Sequence, residues 1–174
     1  MAIVAFTNLK NGISSLDTYI CWGLIQIILA STANISKILW PGYDNCRAKK
    51  DEQYALRAKQ YSLRGTYLRE LLSVDKRSPL NSRDLRNAFE HYDERLHDWA
   101  EKSKHHILMR RNILPKGSIS GANIDQHADM GNLDPYTFIL TFWEHEIEIS
   151  GLIKSVEELL ETVKKKSAEG LSSA

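Results

Sequence analysis

The chain has 174 residues, enough for one domain with a real hydrophobic core, and 23 Lys plus Arg against 22 Asp plus Glu leave a net charge of +1. So even a balance excludes a partner held by an overall basic field, and any anion site has to be local. The two cysteines, Cys21 and Cys46, are too few and too far apart for a disulfide framework or a zinc cluster, which suits ordinary thiols in a reducing compartment.

The opening MAIVAFTNLKNG has no basic start followed by a sustained apolar run, so no secretory signal is expected. The most apolar stretch, Tyr19 to Ala30, reaches only about half of the roughly 20 residues a bilayer needs and includes Gln26. It reads as a buried helix, with no membrane contact and a cytoplasmic location. Ile13, Leu16, Ile20, Leu24, Ile27, Ile35 and Leu39 recur at helical spacing until WPG at Trp40 to Gly42 stops them, because proline disfavours helix in the residue before it. A second, basic helix is expected from about Ala48 to Val74. Its stripe is Tyr54, Ala58, Tyr61, Gly65, Leu68 and Leu72, with Arg57, Lys59, Arg64 and Arg69 between.

After the turn DKRSPLNS, Asn81 or Ser82 can cap a third helix on the seam Leu85, Phe89, Tyr92, Leu96 and Trp99, running out near Lys104. From about 105 to 150 the character changes. HHILMRRNIL is strand-like, the segment from Pro115 to Pro135 is rich in glycine, and YTFILTFWEHEIEIS suggests two short strands joined near Glu144 and His145. Leu152, Ile153, Val156, Leu159, Leu160 and Val163 then mark a final amphipathic helix with VKKK near its negative end. The expected architecture is mainly α in a single domain, 1–174. Its helical core spans about 13–104 and 151–168, with a small antiparallel β element inserted before the C-terminal helix.

The third helix carries Arg86, Asn87 and His91 off its apolar seam, so packing does not require them. Asn87 can reach His91 four residues on and fix its tautomer. Arg86 and His91 diverge by about 140° on a regular helix, so a joint task calls for a distortion, a long reach or a second copy of the chain. RNAFEH, Arg86 to His91, resembles the R-x4-6-H motif of the HEPN superfamily, helical-bundle proteins in which a polar residue commonly follows the arginine. The resemblance covers roughly 13–104. It implies a HEPN-like bundle, a homodimer that brings two motifs together, and metal-independent endoribonuclease activity with no cofactor, in toxin–antitoxin or antiphage settings. Carried over, Arg86 holds the scissile phosphate, His91 transfers a proton at the 2′-hydroxyl or the leaving oxygen, and Asn87 supports both. A planar guanidinium grips phosphate at two points and imidazole titrates near neutrality, so the residue types suit the reaction.

Arg57, Lys59, Arg64 and Arg69 can follow an RNA backbone, with Tyr61 and Tyr67 for stacking, although they point to several sides of one helix. The same residues are equally consistent with a solvated surface or a non-catalytic module that binds a protein partner. Glu94, His97 and Glu101 include one Glu-x-x-His, whereas a di-iron bundle needs that motif on two helices, so no metal is expected. A two-fold axis beside Asn87 and Glu90 would bring the Arg86 of each chain toward the His91 of the other.

Overall fold

A computed structural model describes residues 1–42, 45–82, 92–104, 111–118, 131–142 and 145–171. In chain order its elements are α1 (Ala2–Gly12), α2 (Thr18–Leu39), α3 (Asn45–Ala48), α4 (Glu52–Leu71), a 3-10 turn (Pro79–Asn81) and α5 (Tyr92–Lys102). Four short strands follow, β1 (Asn112–Ile113), β2 (Asn132–Leu133), β3 (Ile139–Phe142) and β4 (His145–Glu148), and then α6 (Ile149–Leu171). The chain is mainly helical, with the sheet placed before the last helix.

The helical part begins at Ala2 rather than near Ile13, and the apolar N-terminal region forms two helices instead of one. Gly12 ends α1, and Asp17 starts α2 by accepting the Tyr19 N–H at 2.7 Å. A short carboxylate at that position satisfies one of the unpaired amides of a helix start. Helix α2 has 22 residues, about 33 Å, and by length and composition it is apolar enough to cross a membrane, whereas Tyr19 to Ala30 alone was too short.

Its buried residues are Cys21, Trp22, Ile25, Ile28, Thr32, Ser36 and Leu39. The expected stripe is therefore wrong in phase by about one residue: Ile20 is 52% exposed and Ile27 39%. On a helix that is apolar nearly all round, periodicity alone does not say which side faces in. Burying Ile25 and Ile28 completely is worth about 1.5 to 3 kcal/mol each.

Sheet order is β1-β2-β3-β4. The sheet is mixed, not antiparallel as expected, because β1 runs parallel to β2 with Asn112 beside Asn132 and Ile113 beside Leu133. The chain between Ile113 and Asn132 is long enough for the crossover that a parallel pair needs. The side chain of Asn132 reinforces the pair, accepting the Leu114 N–H at 3.2 Å and donating to the Leu114 carbonyl at 2.9 Å. β2–β3 and β3–β4 are antiparallel, and the expected hairpin appears as β3 and β4, with Leu140 opposite Ile147.

Leu133, Leu140 and Phe142 join α1, α2 and α6 in one core, with Leu152, Ile153 and Val156 from the last helix. Gly131 lies so close to Trp22 that a Cβ there would sit 2.8 Å from the indole, and Phe6 meets Phe138 edge-on at 5.5 Å. Leu160 and Val163, expected in the α6 stripe, are exposed where that helix outruns the core. Leu96 and Trp99 of α5 are half-buried as their seam requires, while Leu85 and Phe89 lie outside the described residues.

Helix α4 begins on the Asp51 carboxylate, which accepts the Tyr54 N–H at 2.9 Å, and its inward side is Ala58 and Gly65, with Tyr54 and Leu68 half-buried. Tyr61, expected on that stripe, is 48% exposed. Gly65 allows the helix to touch the end of α2, because a Cβ there would lie 2.7 Å from both the Leu39 carbonyl oxygen and Pro41 Cδ. The helix closes through Ser73 in the left-handed region (φ 54), with the Val74 N–H donating back to the Arg69 carbonyl at 2.8 Å.

Two predictions follow from this packing. Gly65→Ala should cost about 1 to 3 kcal/mol in chemical denaturation, because the obstruction is backbone and ring rather than a flexible side-chain end. The second concerns Asp134, buried at the β2–β3 turn. Its carboxylate accepts backbone N–H groups from Lys116, Thr137 and Tyr136, which hold it below the usual carboxylate range. A lowered folded pKa contributes stability that is complete above the unfolded value of about 3.9 and disappears as pH falls through the folded value. Unfolding curves for Asp134→Asn should therefore show a smaller loss of stability in that acid window than wild type.

Candidate functional site

Arg86, Asn87 and His91 lie outside the described residues. The chain just before them is anchored. Before them the 3-10 turn buries Leu80, with Ser78 Oγ accepting the Leu80 N–H at 3.3 Å. Asn81 donates from its side-chain amide to the Lys76 carbonyl at 2.9 Å, and the start of the helix that it or Ser82 was expected to cap lies outside the described residues. After them, the described part of α5 runs from Tyr92, with Leu96 and Trp99 half-buried.

On the exposed side of α5, His97 Nε2 lies 3.3 Å from Glu101 Oε1 and Lys102 pairs with Asp98 at 3.9 Å. Among the described residues no group of three His, Cys, Asp or Glu side chains is arranged to hold a metal ion. Cys21 is fully buried, and burial followed by the charge of Asp17 pushes its thiol up, away from thiolate reactivity.

The four cations of α4 divide into three groups. Arg57 and Arg64 are seven residues apart, so they share one flank about 10 Å apart along the axis. Both are exposed, and the Arg64 guanidinium lies over the Tyr61 ring at 5.2 Å. Just before the helix, Arg47 of α3 sits over Tyr54 at 4.6 Å. Lys59 is exposed on the other flank, about 160° from Arg57.

Arg69 turns into the fold. Its Nη1 donates to the Leu39 carbonyl, its Nη2 donates to Thr66 Oγ1 at 3.0 Å, and its guanidinium lies 5.5 Å from the centre of the Trp40 ring. A cation at the last carbonyls of α2 complements the negative end of that helix. Arg57, Tyr61 and Arg64 thus form one cationic and aromatic flank, while Lys59 and Arg69 stand apart from it.

Two features escaped the sequence reading. The first is the internal role of Arg69, since spacing shows which side of α4 it occupies but not that the end of α2 lies there. The second is a stripe of exposed side chains on the outer face of α4: Leu56 59%, Leu63 63%, Tyr67 62% and Leu71 40%. Their spacing was available, but a single inward stripe had already accounted for the helix. Beside Leu56 and Lys59 runs a groove of about 830 Å3, also lined by Pro41, Ala55, Ala58 and Ser62.

Against known protein families, curated proteins and solved structures, the chain has no match.

The geometry separates a structural arginine from solvent-facing ones by measurement. Arg69→Ala should lower stability by about 1 to 3 kcal/mol, from the loss of a charged hydrogen bond to a helix end and of the contact with Trp40. Arg57→Ala should stay within about 0.5 kcal/mol of wild type, as exposed substitutions do. Equal losses in urea denaturation would mean that Arg69 is not the anchor of α4.

Proposed function

We propose that this chain is a HEPN-like endoribonuclease of the cytoplasm, acting on RNA as a homodimer in a toxin–antitoxin or antiphage setting and without a metal or other cofactor. The observation that carries the reading is the open Arg57–Tyr61–Arg64 flank, on the helix that precedes RNAFEH. Guanidinium groups beside an exposed aromatic ring are what a single strand needs: charge for the phosphates and a flat surface for a base.

In this reading the flank holds the strand, and Arg86 takes the scissile phosphate between two N–H donors. His91 accepts the proton of the attacking 2′-hydroxyl or returns one to the departing oxygen, a role suited to a group that titrates near neutral pH. Asn87 orients the imidazole from one turn earlier. Arg86 and His91 diverge on a regular helix, so a second copy of the chain supplies the missing half of each site.

The other reading, a non-catalytic module that binds RNA or a protein partner, is favoured by a different observation. The outer stripe of α4 leaves more large apolar surface open than an isolated helix face needs.

RNA incubated with the purified chain in EDTA should be cut, and folded Arg86→Ala and His91→Ala variants should each lose that cleavage. Unchanged cleavage in both variants would remove the nuclease reading. Joint replacement of Arg57 and Arg64 by alanine should weaken RNA binding and reduce its salt dependence by about one to two released ions. A wild type that leaves RNA intact and unbound at low salt, yet captures a protein, would favour the interaction module.

A further inference from the structure

We propose that the outer face of α4 is a contact between two copies of this chain, with the two helices antiparallel about a two-fold axis near Arg64 and Gly65. At 100° per residue, Leu56, Leu63, Tyr67 and Leu71 fall within about 80° of one another, roughly opposite the buried Ala58 and Gly65. Helix α4 thus has one side covered by the fold and a bare side on which these four residues surround Gln53 and Gln60.

The bare side is self-complementary. One edge of the stripe carries Glu52, Lys59 and Glu70 within about 20° of each other. In an antiparallel pair related by a two-fold, each edge faces the same edge of the other copy. An axis near Arg64 and Gly65 therefore sets Lys59 of each copy opposite Glu70 of the other. Among the described residues, neither Lys59 nor Glu70 has an ion-pair partner within its own chain.

The same axis sets Leu56 against the Leu71 end of the other helix and brings Tyr67 level with Gln60 and Leu63 of the other copy. The apolar pattern and the charges call for one axis.

Charge also argues against a lipid surface as the occupant. An anionic bilayer favours cations along both edges of an apolar helix face, and here one edge carries two glutamates to one lysine. On the opposite edge Arg64 turns away from the stripe onto Tyr61, so the two copies of Arg64 need not meet. The stripe spans only about 22 Å of helix, less than a standard interface, so the dimer should dissociate in the micromolar range. One consequence rests on the RNA reading above: a dimer has a single two-fold, so this axis serves the Arg86–His91 pairing of that reading only where it also runs beside Asn87 and Glu90, and it then places both Arg57–Tyr61–Arg64 flanks on the same side of the pair, where one strand can cross them.

The test is sedimentation of the full chain across micromolar concentrations, with RNA binding measured separately. Wild type should pass from monomer to dimer. Leu63→Glu, at a site too exposed to unfold the chain, should remain a monomer with an unchanged circular dichroism spectrum. Lys59→Glu and Glu70→Lys should each weaken the dimer roughly tenfold, because two attractive pairs become two repulsive ones.

An equimolar mixture of Lys59→Glu and Glu70→Lys chains should regain wild-type affinity, since every facing pair is again of opposite sign. A wild type that stays monomeric, a Leu63→Glu chain that dimerises normally, or a mixture that fails to recover would overturn the proposal. So would a monomer that binds phosphatidylserine vesicles and loses that binding on Leu63→Glu. A chain that dimerises and responds to these changes but never binds RNA keeps this interface and loses the RNA reading instead.

Discussion

The exit from α2 governs where everything after it can go. Leu39 leaves its carbonyl at the helix end, Trp40 turns into an extended conformation (φ −128, ψ 74), and Pro41 forbids another helical turn. Such an end has unsatisfied carbonyls and a negative partial charge. Helix α4 answers both needs at once, by laying Gly65 against Leu39 and Pro41 and by sending Arg69 to the Leu39 carbonyl. Gly65 and Arg69 are four residues apart and so occupy one face, which leaves the rotation of α4 about its own axis little freedom. Once that rotation is set, Arg57, Tyr61 and Arg64 must lie on one flank and Leu56, Leu63 and Tyr67 must face away.

The contrast between α2 and α4 shows where sequence periodicity carries information. In α4 polar residues interrupt the pattern, and the inward positions Ala58, Gly65 and Leu68 are readable from spacing alone. In α2 apolar residues lie on all sides, and the inward side was chosen by its neighbours: Trp22 against Gly131, and Ile25 and Ile28 in the core shared with the sheet. Those neighbours are more than 90 residues away in the chain, so no local window could find them. The division between α1 and α2 was missed for a related reason, since an apolar sequence on both sides of Ile13 conceals a break made by Gly12 and the Asp17 cap.

The sheet was legible where it is local and obscure where it is not. β3 and β4 are adjacent in sequence, β3 apolar and β-branched and β4 alternating, while the two-residue strands β1 and β2 carry no pattern to detect. Polar side chains define that end of the sheet. Asn132 bonds to both backbone groups of Leu114, and Asp134 gathers the N–H groups of Lys116, Tyr136 and Thr137. A sequence shows that an asparagine and an aspartate are present in a glycine-rich segment, but not that the backbone they satisfy arrives from 18 positions earlier.

For the candidate site, residue chemistry was legible and direction was not. Arginines at 57, 64 and 69 look alike in a list of basic residues. Only tertiary contacts reveal that the third is tied to the end of α2 while the first two remain in solvent. That division has a functional side. A guanidinium that holds the helix cannot also release it to grip phosphate without loosening the crossing that orients its neighbours. Fixing the helix with Arg69 leaves Arg57 and Arg64 in a defined relation to Tyr61, so less side-chain freedom has to be lost when a strand is bound. The inner face of α4 thus holds the helix in place and one flank presents charge beside an aromatic ring. Its outer face is left apolar on a helix that gains nothing in isolation from exposing leucine and tyrosine to water, which is the physical reason to expect a partner there.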